Sequence, residues 1–121
     1  MGTRSNIGRE YADGTVRMIY CHWDGYPSNN GRILLENYRD HAEVEALMEK
    51  GSLSSLETSI EEISYYVDRG EEFQIWVYEN REEAQQNMEE YLYLLTEERT
   101  WVYSDHGRDF EPLTNEAVEN D

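Results

Sequence analysis

The sequence predicts an α+β domain, an antiparallel sheet of about four to five strands with helices packed mainly on one face. Three observations predict it. Alternating β-prone segments flank Asp13-Gly14 and recur near residues 73–79 and 91–103. Between them lie capping signatures followed by apolar residues at helical spacing. Strands and helices do not alternate regularly, which separates this chain from a doubly wound parallel sheet.

The elements follow in order. "REYADGTVRMIYCHW" predicts a β-hairpin, because Asp-Gly supplies the positive-φ residues of a tight turn. In its second strand Val16, Met18, Tyr20 and His22 share one face, and Arg17, Ile19, Cys21 and Trp23 the other. "DGYPSNN" is a turn cluster in which Pro27 blocks strand continuation, and Ser28, Asn29 or Asn30 is placed to cap a helix. Ile33, Leu34, Asn37 and Tyr38 then recur at helical spacing. Asp40 with Glu43 forms a capping-box pattern before the stripe Val44, Leu47 and Met48, and Gly51 is a natural stop. Thr58 with Glu61 repeats that spacing ahead of Ile60, Ile63 and Val67, with Gly70 just beyond. "FQIWVYE" reads as a strand, and Asn80 with Glu83 as the start of a short helix through Met88. "YLYLLTEERTWVYS" reads as a second hairpin with Tyr91, Tyr93 and Leu95 on one face and Leu92 and Leu94 on the other. Residues 1–110 are expected to form a single domain, and the acidic residues 111–121 a disordered tail.

Charge bounds the partners. The 27 acidic and 10 basic residues of this 121-residue chain give a formal net charge of -17. Direct binding to nucleic acid or to an anionic membrane needs a basic footprint and is not expected. A basic partner is favoured instead, against the plain alternatives of solubility and high-salt adaptation. The single cysteine, Cys21, excludes an intramolecular disulfide, and no Cys/His spacing announces zinc. No cofactor and no structural metal are expected. No apolar signal core and no long apolar run are present, so a cytoplasmic location is expected.

The stretch "CHWDGYP" concentrates reactive residue types. His22 and Asp24 point the same way on a strand, but Cys21 and His22 point apart and cannot form a nucleophile–base pair there. A strand-to-helix corner is the favoured reading. The alternative is a small-molecule or nucleotide site, or an enzyme, in which Arg4 or Arg32 holds an anion and His22 or Asp24 acts on it beside Tyr26.

The opening "MGTRS", then Tyr20, Asp24-Gly25-Tyr26-Pro27, Gly31 and Leu35, resembles a family of small uncharacterised bacteriophage and bacterial proteins. "WVYEN" and "YLYLLTEERTWVY" are similar to it as well, so the resemblance spans most of the chain. It implies no established activity. It implies a phage or prophage setting, in which an accessory protein binds and inhibits a host protein in the host cytoplasm, as in anti-defence or host takeover. In that setting carboxylates can stand in for phosphates, as in a DNA mimic. The candidate acidic face comprises Glu36, Glu43, Glu45 and Glu49; Glu57, Glu61 and Glu62; and Glu82, Glu83, Glu89 and Glu90. Its expected partner is a host protein with a basic, nucleic-acid-binding surface. A homodimer through sheet aromatics is the third possibility.

Overall fold

The computed structural model describes residues 2–121. Strands β1 (Ser5–Glu10) and β2 (Val16–Cys21) form the first hairpin, in register from Glu10 opposite Val16 to Ser5 opposite Cys21. Its turn follows from local chemistry. Gly14 sits at φ +91°, and the Asp13 carboxylate accepts hydrogen bonds from the Thr15 amide and hydroxyl at 3.0 and 2.7 Å. The chain then runs through α1 (Arg32–Asn37), α2 (His41–Met48), β3 (Trp76–Tyr78) and α3 (Arg81–Gln86). It closes with β4 (Tyr91–Leu95), β5 (Trp101–Asp105), β6 (Glu111–Pro112) and α4 (Asn115–Glu119).

The α+β class holds, with one sheet of six strands in the order β3-β2-β1-β4-β5-β6. The sheet is mixed rather than antiparallel, because β1 and β4 run parallel at its centre. Period-two alternation is the same for either direction, so the sequence carried no signal for that pairing.

The alternation sorts the core into two layers. Ile7, Ile19, Cys21, Tyr93, Leu95 and Trp101 face the layer that holds Leu34 of α1, the Val44/Leu47/Met48 stripe of α2 and Val118 of α4. Val16, Met18, Leu92 and Leu94 face the other way, toward Ala84 of α3. Three helices thus cover one face and α3 the other. Burying each of the larger aliphatic side chains contributes about 1.5–3 kcal/mol.

The tyrosine and tryptophan content has a structural use. Buried rings donate their polar tips to loop and helix-end carbonyls: Tyr38 to Glu57, Tyr65 to Leu47, Tyr93 to Gly25 and Trp101 to Tyr38, at 2.6–2.8 Å. Each ring therefore fills the core and satisfies a backbone group that burial would otherwise leave unpaired.

Two expected elements differ. No helix forms over residues 58–67. Ile60–Glu62 and Val67–Arg69 are single 3-10 turns, and Ile63 is extended between them. Tertiary pairing wins over local spacing here: Leu53 bridges both Cys21 and Tyr65, and the Ser54 amide donates to the Ser64 carbonyl. Glu57 and Glu61 therefore do not share a helix face. Residues 111–121, expected to be a disordered tail, are also placed. β6 pairs with β5, Thr114 caps α4 by accepting from the Ala117 amide, and Leu113 and Val118 are buried. Two isolated apolar residues in an acidic stretch leave no periodic signal, yet they bury because the sheet and the Pro27–Gly31 turn offer a surface.

α3 is anchored by an ion pair. The Arg81 guanidinium donates twice to the Glu10 carboxylate, at 2.7 Å each, and stacks 4.9 Å from the centre of the Phe110 ring. Replacing Glu10 by glutamine should lower stability by about 2 kcal/mol, since a two-pronged, charge-assisted contact is lost. A urea titration reads this as a lower midpoint at unchanged slope. An unchanged midpoint would show that water screens the pair.

Candidate functional site: a cleft beside Tyr38

α2 begins where the sequence predicts. The Asp40 side chain accepts from the Glu43 amide at 2.8 Å, and the Glu43 carboxylate accepts from the Asp40 amide at 3.2 Å. With Val44, Leu47 and Met48 turned into the core, the helix presents Ala42, Glu43 and Ala46 to solvent. Tyr38, at the end of α1, is 3% exposed, and its hydroxyl donates to the Glu57 carbonyl at 2.8 Å. That bond draws residues 57–62 alongside α2.

The result is a cleft of about 360 Å³. Tyr38, Ala42, Ala46 and Ile60 form its apolar part, Glu43 and Glu61 stand at its margin, and none of its lining residues is basic. Burial is the main cause that pushes the Tyr38 hydroxyl up to about 12; the fields of Glu61, Glu43, Glu57 and Glu62 add to it. Two of the predicted acidic residues, Glu43 and Glu61, therefore line the cleft, and Glu57 and Glu62 lie near enough to Tyr38 to add to its field.

The remaining predicted acidic residues do not join them. Glu45 is engaged by Arg9 at 2.9 Å and by Arg17 at 3.6 Å, and it accepts from Tyr11. Glu36 lies 3.8 Å from Arg32. Glu49 follows the end of α2 and is exposed. Glu82 and Glu83 sit in the first turn of α3, on the opposite side of the sheet from α2. Glu90 accepts from the Arg4 amide at 3.1 Å and lies 3.9 Å from His106, while the Glu89 amide donates to Asn6. The eleven candidate carboxylates thus occupy both sides of the sheet and its end, not one face.

The corner forms as predicted. β2 ends at Cys21, Asp24 adopts φ +55°, and Pro27–Gly31 makes a wide π-helical turn into α1. No side chain caps that turn, so Ser28, Asn29 and Asn30 do not serve as expected. Asn30 instead lies buried and donates to Ser5 Oγ at 3.1 Å and to Cys21 Sγ at 3.3 Å. Burial raises the Cys21 thiol above its usual range, the opposite of what a nucleophile needs.

His22, Asp24, Tyr26 and Arg32 of the alternative ligand site are each engaged by a near neighbour in sequence. His22 Nδ1 pairs with the Tyr20 hydroxyl at 2.6 Å and packs edge-on against Trp23. Asp24 accepts from the Tyr26 hydroxyl at 3.4 Å, and Arg32 is directed to Glu36. Basic side chains share a cleft elsewhere: Arg9 and Arg17 beside Tyr11 and Glu97, and Arg39 and Arg99 beside Trp101 and Thr114 in a volume of about 680 Å³. Arg39 and Arg99 are 60 positions apart in sequence, and no local spacing could have joined them. The three histidines have separate partners: Tyr20 for His22, the Thr96 carbonyl for His41, and Asp105 with Glu90 for His106. Among the described residues, no three His, Cys, Asp or Glu side chains converge in a metal-holding group. Nor, among them, is any helix long and apolar enough to cross a membrane.

No protein family, curated protein or solved structure matches this chain. Its class therefore rests on the fold alone: a mixed six-stranded α+β sheet with helices on both faces.

Proposed function

We propose that this is a binding protein that occupies a basic surface of another protein through the Tyr38 cleft. The observation that carries this reading is a cleft lined by Glu43 and Glu61 and by no basic residue, with Glu57 and Glu62 near enough to add to the field at Tyr38. Elsewhere the carboxylates of Glu10, Glu45 and Asp68 are each held by a basic side chain. The two alanines of α2 leave room for the aliphatic stem of a lysine or arginine, and the rim carboxylates meet its charged head. Each exposed pair contributes little alone, about 0–1 kcal/mol. Acting together, and with the chain's net charge, they steer a basic partner in and disfavour acidic ones.

A nucleic-acid-binding host protein is the partner of this chemistry that the resemblance to phage proteins suggests. The role is then that of an acidic accessory inhibitor that competes with nucleic acid for the partner's basic groove. Only one side of the molecule carries this cluster, so the proposed contact is a local one and not a duplex-length mimic.

Affinity capture from a bacterial lysate, at low and high salt, tests the reading. The Glu57→Lys/Glu61→Lys/Glu62→Lys variant should lose its basic captured proteins, and added duplex DNA should compete for them. Reversal of Glu82 and Glu83, across the sheet, should leave capture largely intact. Capture should also fall steeply with salt, because exposed charges are screened over about 8 Å at physiological ionic strength. Salt-insensitive capture that survives the triple reversal but is lost with Asp24→Ala would reject this reading and make the corner the contact.

A further inference from the structure

β3 forms one edge of the sheet, and among the described residues its outer side has no strand partner. The hydrogen-bond phase of that edge follows from the first hairpin. The Tyr11 amide donates to the Thr15 carbonyl at 2.8 Å, so Tyr11 and Thr15 are a bonded pair. Bonded pairs alternate along an antiparallel ladder. Arg17 therefore bonds toward β1, and Val16 and Met18 bond toward β3, where they oppose Tyr78 and Trp76. The Tyr20 contacts agree, because its carbonyl accepts from Leu53 and its amide donates to Ser52, both away from β1. The N–H and C=O of Val77 consequently point outward from the edge.

The side chains there are unusually bare. Val77 is 61% exposed and Phe73 49%, and both are among the exposed large hydrophobic residues of the fold. Natural edges are blunted by short length, charged side chains, proline or a bulge. β3 is short, with three residues, but residues 73–78 carry no lysine and no proline. The strand is instead bracketed by Glu71, Glu72 and Glu79, all exposed.

We propose that the outer edge of β3 pairs with an extended segment of a partner protein that carries alternating apolar residues flanked by lysine or arginine. Main-chain bonds to Val77 supply the docking, as in strand addition to a sheet edge. The bracketing carboxylates select the flanks. A second copy of this chain would bring the same three carboxylates and the same excess negative charge to the edge, and like charges across paired strands destabilise them. The edge shares with the Tyr38 cleft only the sign of the partner's charge and is a separate surface.

The test titrates the isotope-labelled full chain with the capped peptide Lys-Lys-Val-Thr-Val-Thr-Val-Lys-Lys at low salt. Amide shifts should centre on residues 73–79, and hydrogen exchange at Val77 should slow. A counterpart peptide with glutamates in place of its lysines should not bind. Val77→Pro removes the outward donor without breaking a bond inside the sheet, and should weaken binding about tenfold or more. Should that variant unfold, Val77→Lys keeps the backbone donor and repels the peptide, so binding should still weaken. The Glu57→Lys/Glu61→Lys/Glu62→Lys variant should bind the peptide at β3 as before, which separates failure of the edge from failure of the cleft. Shifts confined to the Tyr38 cleft, binding unaltered by either Val77 variant, or protection of Val77 by self-association without peptide would each overturn the proposal.

Discussion

Replacing Gly8 by valine should destabilise the protein by about 3 kcal/mol or more, the upper range for forcing volume into a packed site. Gly8 lies in the central strand, opposite Met18 on β2 and Leu94 on β4. A Cβ built there would collide with the Arg17 carbonyl oxygen and come within 2.8 Å of Met18 Cβ. Both obstacles belong to the backbone or the root of a neighbouring side chain, so neither can swing away. Relief requires β1 and β2 to separate, and those strands hold Ile7, Ile19 and Met18 at full burial. A domain of this size is stable by only about 5–15 kcal/mol, so such a loss is a large share of the whole. Gly8→Ala should move in the same direction by less. Chemical denaturation of both variants reads the effect. A valine variant as stable as the parent would mean that β1 and β2 do not pair in this register.

Truncating Tyr93 to alanine should cost about 4 kcal/mol, in the range of large aromatic deletions from a core. The ring is fully buried at the centre of β4. It stacks between Tyr91 and Tyr103, with centroids 6.3 and 6.1 Å away and planes within 20°. Its hydroxyl donates to the Gly25 carbonyl at 2.6 Å, and burial holds it neutral far above the usual tyrosine range. This one side chain therefore ties the middle of the sheet to the Asp24–Pro27 corner. Tyr93→Phe isolates that tie and should cost about 1–2 kcal/mol, because the Gly25 carbonyl is left without its donor. The same variant should speed hydrogen exchange in residues 24–27 while leaving β1 and β2 protected. Equal stability of the phenylalanine variant would show that water replaces the hydroxyl.

Much of the fold was legible, and the reasons are particular. Asp13-Gly14 announced a hairpin because few other pairs tolerate positive φ. Asp40 with Glu43 announced α2 because the reciprocal bonds of a capping box need those two residue types three apart. The DGYP stretch announced a corner because proline has no amide to offer a strand. The acidic site was legible only in part. Glu43 and Glu61 do line one cleft, but because the Tyr38 hydroxyl bond to the Glu57 carbonyl holds residues 57–61 beside α2 and not through the helix spacing that first grouped them. Glu45 looked free and is held by Arg9 and Arg17, which lie on the adjoining strands and are remote in sequence.

What the sequence determined by itself is the net negative charge and everything that depends on neighbours within about one helical turn: the first hairpin, the α2 capping box and the faces of β4. Such features are set by backbone sterics and by side chains that reach only their own segment. The tertiary structure decided the rest. It chose the parallel β1–β4 pairing, converted residues 58–67 from a helical pattern into turns, and drew Leu113 and Val118 out of an acidic tail into the core. In each case the deciding energy is burial or backbone pairing between segments distant in sequence. Those terms outweigh local preferences of a few tenths of a kcal/mol per residue, and they exist only once the chain has folded.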